Sequence, residues 1–337
     1  MNVAFILAIS FFLRLISLNQ SLWLDEATTA IVARDFSWGD FFGKFLPADF
    51  HPPLYYVLVK LFAGLINNYS EVALRLPSVI FGVLTVFLVY KIGKEIKNEG
   101  LGLFSSLLLA VSSLHIYYSQ EARMYALTAF FIALSVYFYI KNNYWLFCFS
   151  LTAAFWSDYM AVFMIPVFAI HNFFYQRKNF KKTILFLIIA LSLCLPMFLF
   201  LPNQLSTGLG ISSEWASVLG QTNLKNIFLI PIKFLIGRIS FEDKLVYGFA
   251  VFIIGSLAGY LFLCSIKKNK KYNFFYFWLF IPPIFGFFVS LFIPVLSYFR
   301  FLFTLPAFYL IVSIGAIKAK KTGFVFVFLF FSVKSIF

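Results

Sequence analysis

Apolar runs follow one another from residue 3 to the end of the chain, separated by short polar connections. An α-helix rises 1.5 Å per residue, so a run of about 20 residues crosses a hydrocarbon core roughly 30 Å thick. On that measure the pattern predicts eleven crossings, at 3–18, 72–90, 101–118, 124–140, 143–157, 159–175, 183–201, 245–266, 273–293, 299–317 and 322–336. The expected fold class is an all-α polytopic membrane protein.

One further apolar segment, residues 52–66 (PPLYYVLVKLFAGLI), is read as a helix lying in the membrane interface. Length does not decide this, because the 143–157 run is equally short. Charge does. Lysines and arginines occupy alternate connections: Lys91, Lys94 and Lys97; Lys141; Arg177, Lys178, Lys181 and Lys182; Lys267, Lys268, Lys270 and Lys271; Lys318, Lys320 and Lys321. Were 52–66 to cross, every later cluster would change sides and invert the positive-inside bias. Lys60 in its middle and the Pro52-Pro53 start suit an interfacial helix. Two long loops then share the opposite face, 19–71 and 202–244. The short pair 143–157 and 159–175 keeps this parity whether it crosses or re-enters.

No glycine/serine linker interrupts the chain, so residues 1–337 are expected to form a single transmembrane domain. Residues 1–18 stay as the first helix: no Lys or Arg precedes the apolar stretch and no small-residue cleavage site follows it. The chain stops just after an apolar run, which leaves a truncated C-terminus open.

Composition agrees. The chain is 62% hydrophobic and 12% charged, which excludes an ordinary soluble domain. A net charge of +14 would suggest nucleic acid in a soluble protein, but here it follows the lysine connections that mark a cytoplasmic face. The other connections hold eleven of the thirteen carboxylates: Asp25, Glu26, Asp35, Asp40, Asp49, Glu71, Glu121, Asp158, Glu214, Glu242 and Asp243. The expected setting is a prokaryotic cell membrane with the acidic face outside. Cys148, Cys194 and Cys264 lie inside apolar runs and give neither a disulfide framework nor a zinc pattern.

Four polar groupings share that outer face: SLWLDEATTA (21–30), DFHPPLYY (49–56), YYSQEARMYAL (117–127) and LSYFRF (296–301). A carboxylate pair, a histidine, and Arg123 and Arg300 at helix ends can together hold an anion and a base. Each has a plainer reading. Asp25 and Glu26 suit a helix N-terminus, since ATTAIVARDF can follow as a short helix. His51 before two prolines can simply shape a turn, Ser119 can cap and Glu121 can face a helix dipole. Arg300 can reach lipid headgroups, and Asp158 can mark a turn between helices. Trp23, Trp38, Tyr55, Tyr56, Tyr117, Tyr118, Tyr125, Trp215 and Tyr298 fit interfacial belts, with stacking on a sugar ring as the alternative for some. The Asn-X-Ser matches at Asn19 and Asn68 carry little weight, and His115 and His171 have no ligand spacing.

In order along the chain, these groupings resemble the polytopic glycosyltransferases of the GT-C superfamily, in particular family 39 with its aminoarabinose and protein O-mannosyl transferases. The resemblance rests on Asp25-Glu26 in the first outer loop, His51 to Leu54 (HPPL), ALRLPSVIFG opening the second helix, SQEARMYAL after the third, and YFRFLFTLPAFYLIV near the end. It implies transfer of a sugar from a polyprenyl-phosphate donor to a protein, lipid or glycan hydroxyl on the outer face, with inversion. Asp25 would be the general base and Glu26 would orient it or the acceptor. His51, Arg123 and Arg300 would meet the donor phosphate, and Glu121, Tyr125, Tyr298, Asp158 and Tyr55 would contact substrate. The 202–244 loop, with glycines in GLGISSEWASVLG, would cover the site or read the acceptor. No cofactor is required by this chemistry; a divalent metal at Asp25 finds no ligand spacing to support it. The chain is short for the family, and Asp158-Tyr159 stands where relatives carry His-Tyr. The rival readings are a transporter or lipid flippase and a non-catalytic polyprenyl-lipid binder; charges crowding one face, with no repeat, favour interfacial chemistry.

Overall fold

The computed structural model describes residues 2–207, 224–238, 244–266, 270–293 and 295–319. Among them every regular element is helical. The expected span 322–336, the stretch 208–220 with Glu214 and Trp215, and Glu242, Asp243, Lys267, Lys268, Lys320 and Lys321 lie outside the described residues.

Helix α1 (Val3–Leu15) starts where the Asn2 side chain accepts the Phe5 N–H at 2.9 Å. After it come α2 (Leu24–Asp35), a run of short turns over 38–48, α3 (Leu54–Ile66) and α4 (Glu71–Ile96). Helix α4 is capped by Ser70 and has 26 residues, about 39 Å at the usual rise. Then follow α5 (Glu99–Ala110), α6 (Ser113–Ser119), α7 (Tyr125–Ile140), α8 (Tyr144–Ser157), a 3-10 turn at Tyr159–Phe163 and α9 (Met164–Tyr175). The remaining helices are α10 (Phe180–Ser192), α11 (Leu224–Ile236), α12 (Lys244–Ser265), α13 (Lys270–Ser290) and α14 (Leu305–Ala319).

Ten of the eleven expected runs fall on these helices, but eleven crossings do not follow. Among the described residues four helices, Glu71–Ile96, Lys244–Ser265, Tyr272–Ser290 and Leu302–Ala319, are long and apolar enough to cross, and α5 with α6 makes a fifth if the pair counts as one span. Val3–Leu15 and Tyr125–Ile140 are shorter, with 13 and 16 residues. The apolar runs had absorbed turns, such as 195–199, into their length. The chain is nonetheless an integral membrane protein in its surface. Helix α12 presents Leu245, Phe249, Phe252 and Leu263, each more than two thirds exposed.

Helix α14 lies at the centre, buried at every residue from Leu305 to Ala316. It packs against α5, α12 and α13. Gly315 permits this: a Cβ there would lie 1.9 Å from the Leu261 carbonyl oxygen of α12. The α4/α5 hairpin closes in the same way, with a Cβ on Gly93 falling 2.8 Å from the Gly102 Cα.

Among the described residues, α5 and α6 meet at a bend of 65°. Buried Arg14 of α1 stabilises it. Its Nη1 donates to Ser10 O (2.8 Å), Ser10 Oγ (2.7 Å) and Ala110 O (3.2 Å), the last carbonyl of α5. Its Nη2 lies 2.6 Å from His115 Nδ1 of α6. Because guanidinium only donates, His115 accepts at Nδ1 and is neutral.

Polar groups separate to two ends. At one, Lys141 pairs with Glu95 at 2.6 Å, Asn179 reaches Asn142, and Lys182 sits over the Tyr144 ring. The starts of α4, α7 and α14 and the end of α8 make the other.

Candidate active site

The acidic loop folds around Arg75, which the sequence pattern left without a role. From the first turns of α4 it grips Glu26 with two parallel bonds, Nε to Oε1 at 2.8 Å and Nη2 to Oε2 at 2.6 Å. It also donates to the carbonyls of Leu18 (2.8 Å), Gln20 (2.6 Å) and Ser21 (3.3 Å). Such a fork matches a carboxylate geometrically. Glu26 Oε1 accepts a third bond, from the Ala122 N–H at 2.7 Å, and Oε2 reaches back to the Trp23 N–H at the start of α2. Glu26 is 1% exposed, with both oxygens engaged, so it fastens α2 to α4 and to the 120–124 turn.

Its neighbour stays open to solvent. The Asp25 side chain is 41% exposed and its Oδ2 lies 3.7 Å from Arg123 Nη2. Helix geometry separates the two: adjacent positions on a helix do not share a face.

Arg123, itself buried, is held from several sides. Its Nη1 faces the Asp25 carbonyl (3.4 Å) and the Tyr56 hydroxyl (3.5 Å), and its Nη2 lies 3.1 Å from His51 Nε2. Its own carbonyl accepts from Ser78, which bonds the buried Tyr55 hydroxyl at 2.8 Å. Tyr55 therefore sets the backbone of Arg123.

His51 is shaped by Asp49, which accepts the His51 N–H at 3.3 Å and faces Nδ1 at 3.5 Å. Since Arg123 donates to Nε2, the proton resides on Nδ1 and the ring is neutral. Burial lowers its pKa, and the Arg123 charge lowers it further, against the opposing pull of Asp49. Gln204, just past the start of the second long loop, donates to the Leu46 carbonyl at 2.8 Å and the His51 carbonyl at 3.5 Å. That loop begins on the His51 segment.

Asp158 ends α8 and accepts the Met160 N–H at 2.9 Å, capping the 3-10 turn. Burial raises its pKa to about 6, against the pull of the Met160 amide and then of Arg300 and Arg123. Arg300 thus stands near both Asp158 and His51, with its guanidinium in no described hydrogen bond or ion pair. Tyr125 and Tyr298 belong to an aromatic group with Tyr118 and Phe299, whose ring centroids lie 5.2–6.5 Å apart. Glu121 is buried, and burial raises its pKa to about 7.

All the residues read from the sequence as site candidates therefore meet at one end of the bundle. The pattern assigned no definite site role to Arg75, Asp49, Tyr56, Gln204, Lys60 or Arg238. Lys60, expected within the interfacial helix, closes the C-terminal end of α2 by donating to the carbonyls of Val32, Ala33 and Phe36 at 3.3, 3.2 and 2.5 Å. Asp49 and Tyr56 lie inside DFHPPLYY and Arg75 inside ALRLPSVIFG, but the pattern did not say what any of them would hold. Among the described residues no three His, Cys, Asp or Glu side chains gather as a metal set.

Residues 50–201 match the family model described as dolichyl-phosphate-mannose-protein mannosyltransferase. No curated protein matches the sequence. Among solved structures, the chain is similar to ArnT from Cupriavidus metallidurans bound to undecaprenyl phosphate, with a TM-score of 0.68 at 13% identity, covering 96% of this chain and 63% of that one. It is also similar to the oligosaccharyltransferase AglB from Archaeoglobus fulgidus in complex with an inhibitory peptide and a dolichol-phosphate, with a TM-score of 0.58 at 11% identity. That match covers 94% of this chain and 50% of that one. The chain thus spans less than two thirds of the length of these relatives.

Proposed function

From a chain that carries the fold of the GT-C glycosyltransferases, we propose a membrane enzyme that moves a sugar from a polyprenyl-phosphate donor to an acceptor hydroxyl. The observation that carries this reading is the exposed Asp25 carboxylate 3.7 Å from the buried Arg123 guanidinium. A base open to substrate beside a fixed cation is what displacement of a lipid phosphate needs.

In the proposed reaction Asp25 takes the proton of the acceptor hydroxyl as its oxygen forms a bond to the anomeric carbon. The anomeric carbon–oxygen bond to phosphate breaks, and its electron pair leaves on the lipid phosphate. Attack and departure on opposite faces invert the configuration. The leaving phosphate is stable as an anion and needs little general-acid help, unlike the leaving group of ordinary glycoside hydrolysis. Arg123 and Arg300 meet the charge that grows on it, in a site where preorganised donors are worth more than in water. His51 accepts from Arg123 and orients it. Glu26 holds α2 and so positions Asp25.

The test is purified protein with polyprenyl-phosphate sugars, wild type against Asp25→Asn. Donor consumption should fall by at least about 100-fold, the usual contribution of a general base, while donor binding survives. Normal turnover by the variant would remove Asp25 as the base. Donor binding without turnover in the wild type would instead favour a lipid-binding protein.

A further inference from the structure

Glu121 is the one carboxylate of this end whose two oxygens are buried with no hydrogen-bond partner among the described residues. Burying carboxylate oxygens without a hydrogen bond is costly, so a partner is expected when the site is filled. Its surroundings are built. Arg238 Nη1 lies 3.9 Å from Glu121 Oε1, and the same guanidinium sits 4.3 Å over the Tyr117 ring. Burial raises the Glu121 pKa, and the Tyr117 hydroxyl beside it pulls the other way. Lys233 stands 5.8 Å from the centre of the Tyr298 ring.

These groups are fixed by the seating of α11. Tyr309 of α14 donates to the Phe234 carbonyl at 2.9 Å, and Ser113 of α6 donates to the Ile236 carbonyl at 3.3 Å. Gly237 then turns with φ +81°, where a Cβ would lie 2.2 Å from Ser113 Oγ. Only glycine fits that turn, and it brings Arg238 back over Tyr117.

We propose that Glu121, Arg238, Tyr117 and Tyr298 form a subsite that binds the sugar ring of the lipid-linked donor and sets which sugar is accepted. A carboxylate accepts hydroxyl hydrogens, a guanidinium donates to hydroxyl oxygens, and phenol faces cover the apolar side of a ring. Glu121 is two residues from Arg123 in one turn, so a sugar there stays within a ring's reach of a phosphate on Arg123. The inference rests on the donor reading above.

The test compares two lipids on the full-length purified protein: undecaprenyl phosphate, and undecaprenyl phosphate carrying glucose, mannose or arabinose. In the wild type at least one sugar-bearing lipid should bind about tenfold or more tightly than the bare phosphate, the worth of one or two charge-assisted hydrogen bonds. Glu121→Ala and Arg238→Ala should erase that gain, the isosteric Glu121→Gln should keep part of it, and the affinity for bare undecaprenyl phosphate should be unchanged in all three. A gain that survives Glu121→Ala, or the absence of any gain in the wild type, would overturn the subsite. If Glu121→Ala also loses the bare lipid, Glu121→Gln decides: full retention of the gain counts against the subsite, and partial loss at unchanged bare-lipid affinity supports it. A wild type that binds no undecaprenyl phosphate at all would overturn the donor reading itself.

Discussion

Asp25 and Glu26 are chemically alike and adjacent, yet their surroundings give them separate work. Glu26 is spent on Arg75 and the Ala122 amide. Arg75→Ala leaves a buried carboxylate without its cation, and should cost about 3–5 kcal/mol. Thermal unfolding in detergent checks this; adding Glu26→Gln to Arg75→Ala should cost less than the sum of the two, because the residues share one interaction. Glu121 and Asp158 carry a pH dependence. Their carboxyls have pKa values of about 7 and about 6 when folded, against ordinary values of 4.5 and 3.8. Between the ordinary and the folded values the native state binds more protons than the unfolded chain, so stability falls as pH rises. The contribution is complete below about pH 4 and gone above about pH 7. Melting temperatures followed across that range should fall with rising pH, and Glu121→Gln should flatten the slope.

At the scale of helices, the site depends on close approaches that small residues allow. The Gly315 Cα hydrogens face the Leu261 carbonyl where α12 crosses α14, so Gly315→Ala forces the two helices apart. Overpacking of this kind costs about 1–3 kcal/mol, to be read as a loss of thermal stability. Helix α2 is held at one end by Glu26 and at the other by Lys60, which satisfies carbonyls that a helix end leaves open. Lys60→Met keeps the apolar stem and removes the donors. Hydrogen exchange should then speed up in Val32–Phe36, and exchange in α4 should stay as it was. Residues 52–66 were recognisable as a helix from their apolar pattern, but the use of Lys60 was not. Its target carbonyls lie 24–28 residues earlier in the chain.

Over the whole molecule, two polar ends are joined by an apolar bundle, with Asp25 and Arg123 at one and Lys141, Asn142 and Lys182 at the other. Asp25→Cys and Lys178→Cys, each in a chain whose native cysteines are replaced by alanine, should react with impermeant reagents from opposite sides of a sealed membrane. Labelling from the same side would break the two-ended arrangement. Helix content, the positions of ten of eleven apolar runs and the gathering of the candidate residues at one end were all legible beforehand. The number of crossings was not, because several apolar runs continue through turns after their helices end, and α5 and α6 bend where the run is unbroken.

The sequence by itself determined that this chain is a helical membrane protein with its candidate site residues at one end. Those properties come from transfer free energies and backbone satisfaction in lipid, which are local and accumulate residue by residue. Tertiary structure alone decided which carboxylate is consumed and which stays open, how His51 loses its charge, and what Arg238 faces. Pairing of charges depends on separations of a few ångströms between groups far apart in the chain, and no periodicity records them.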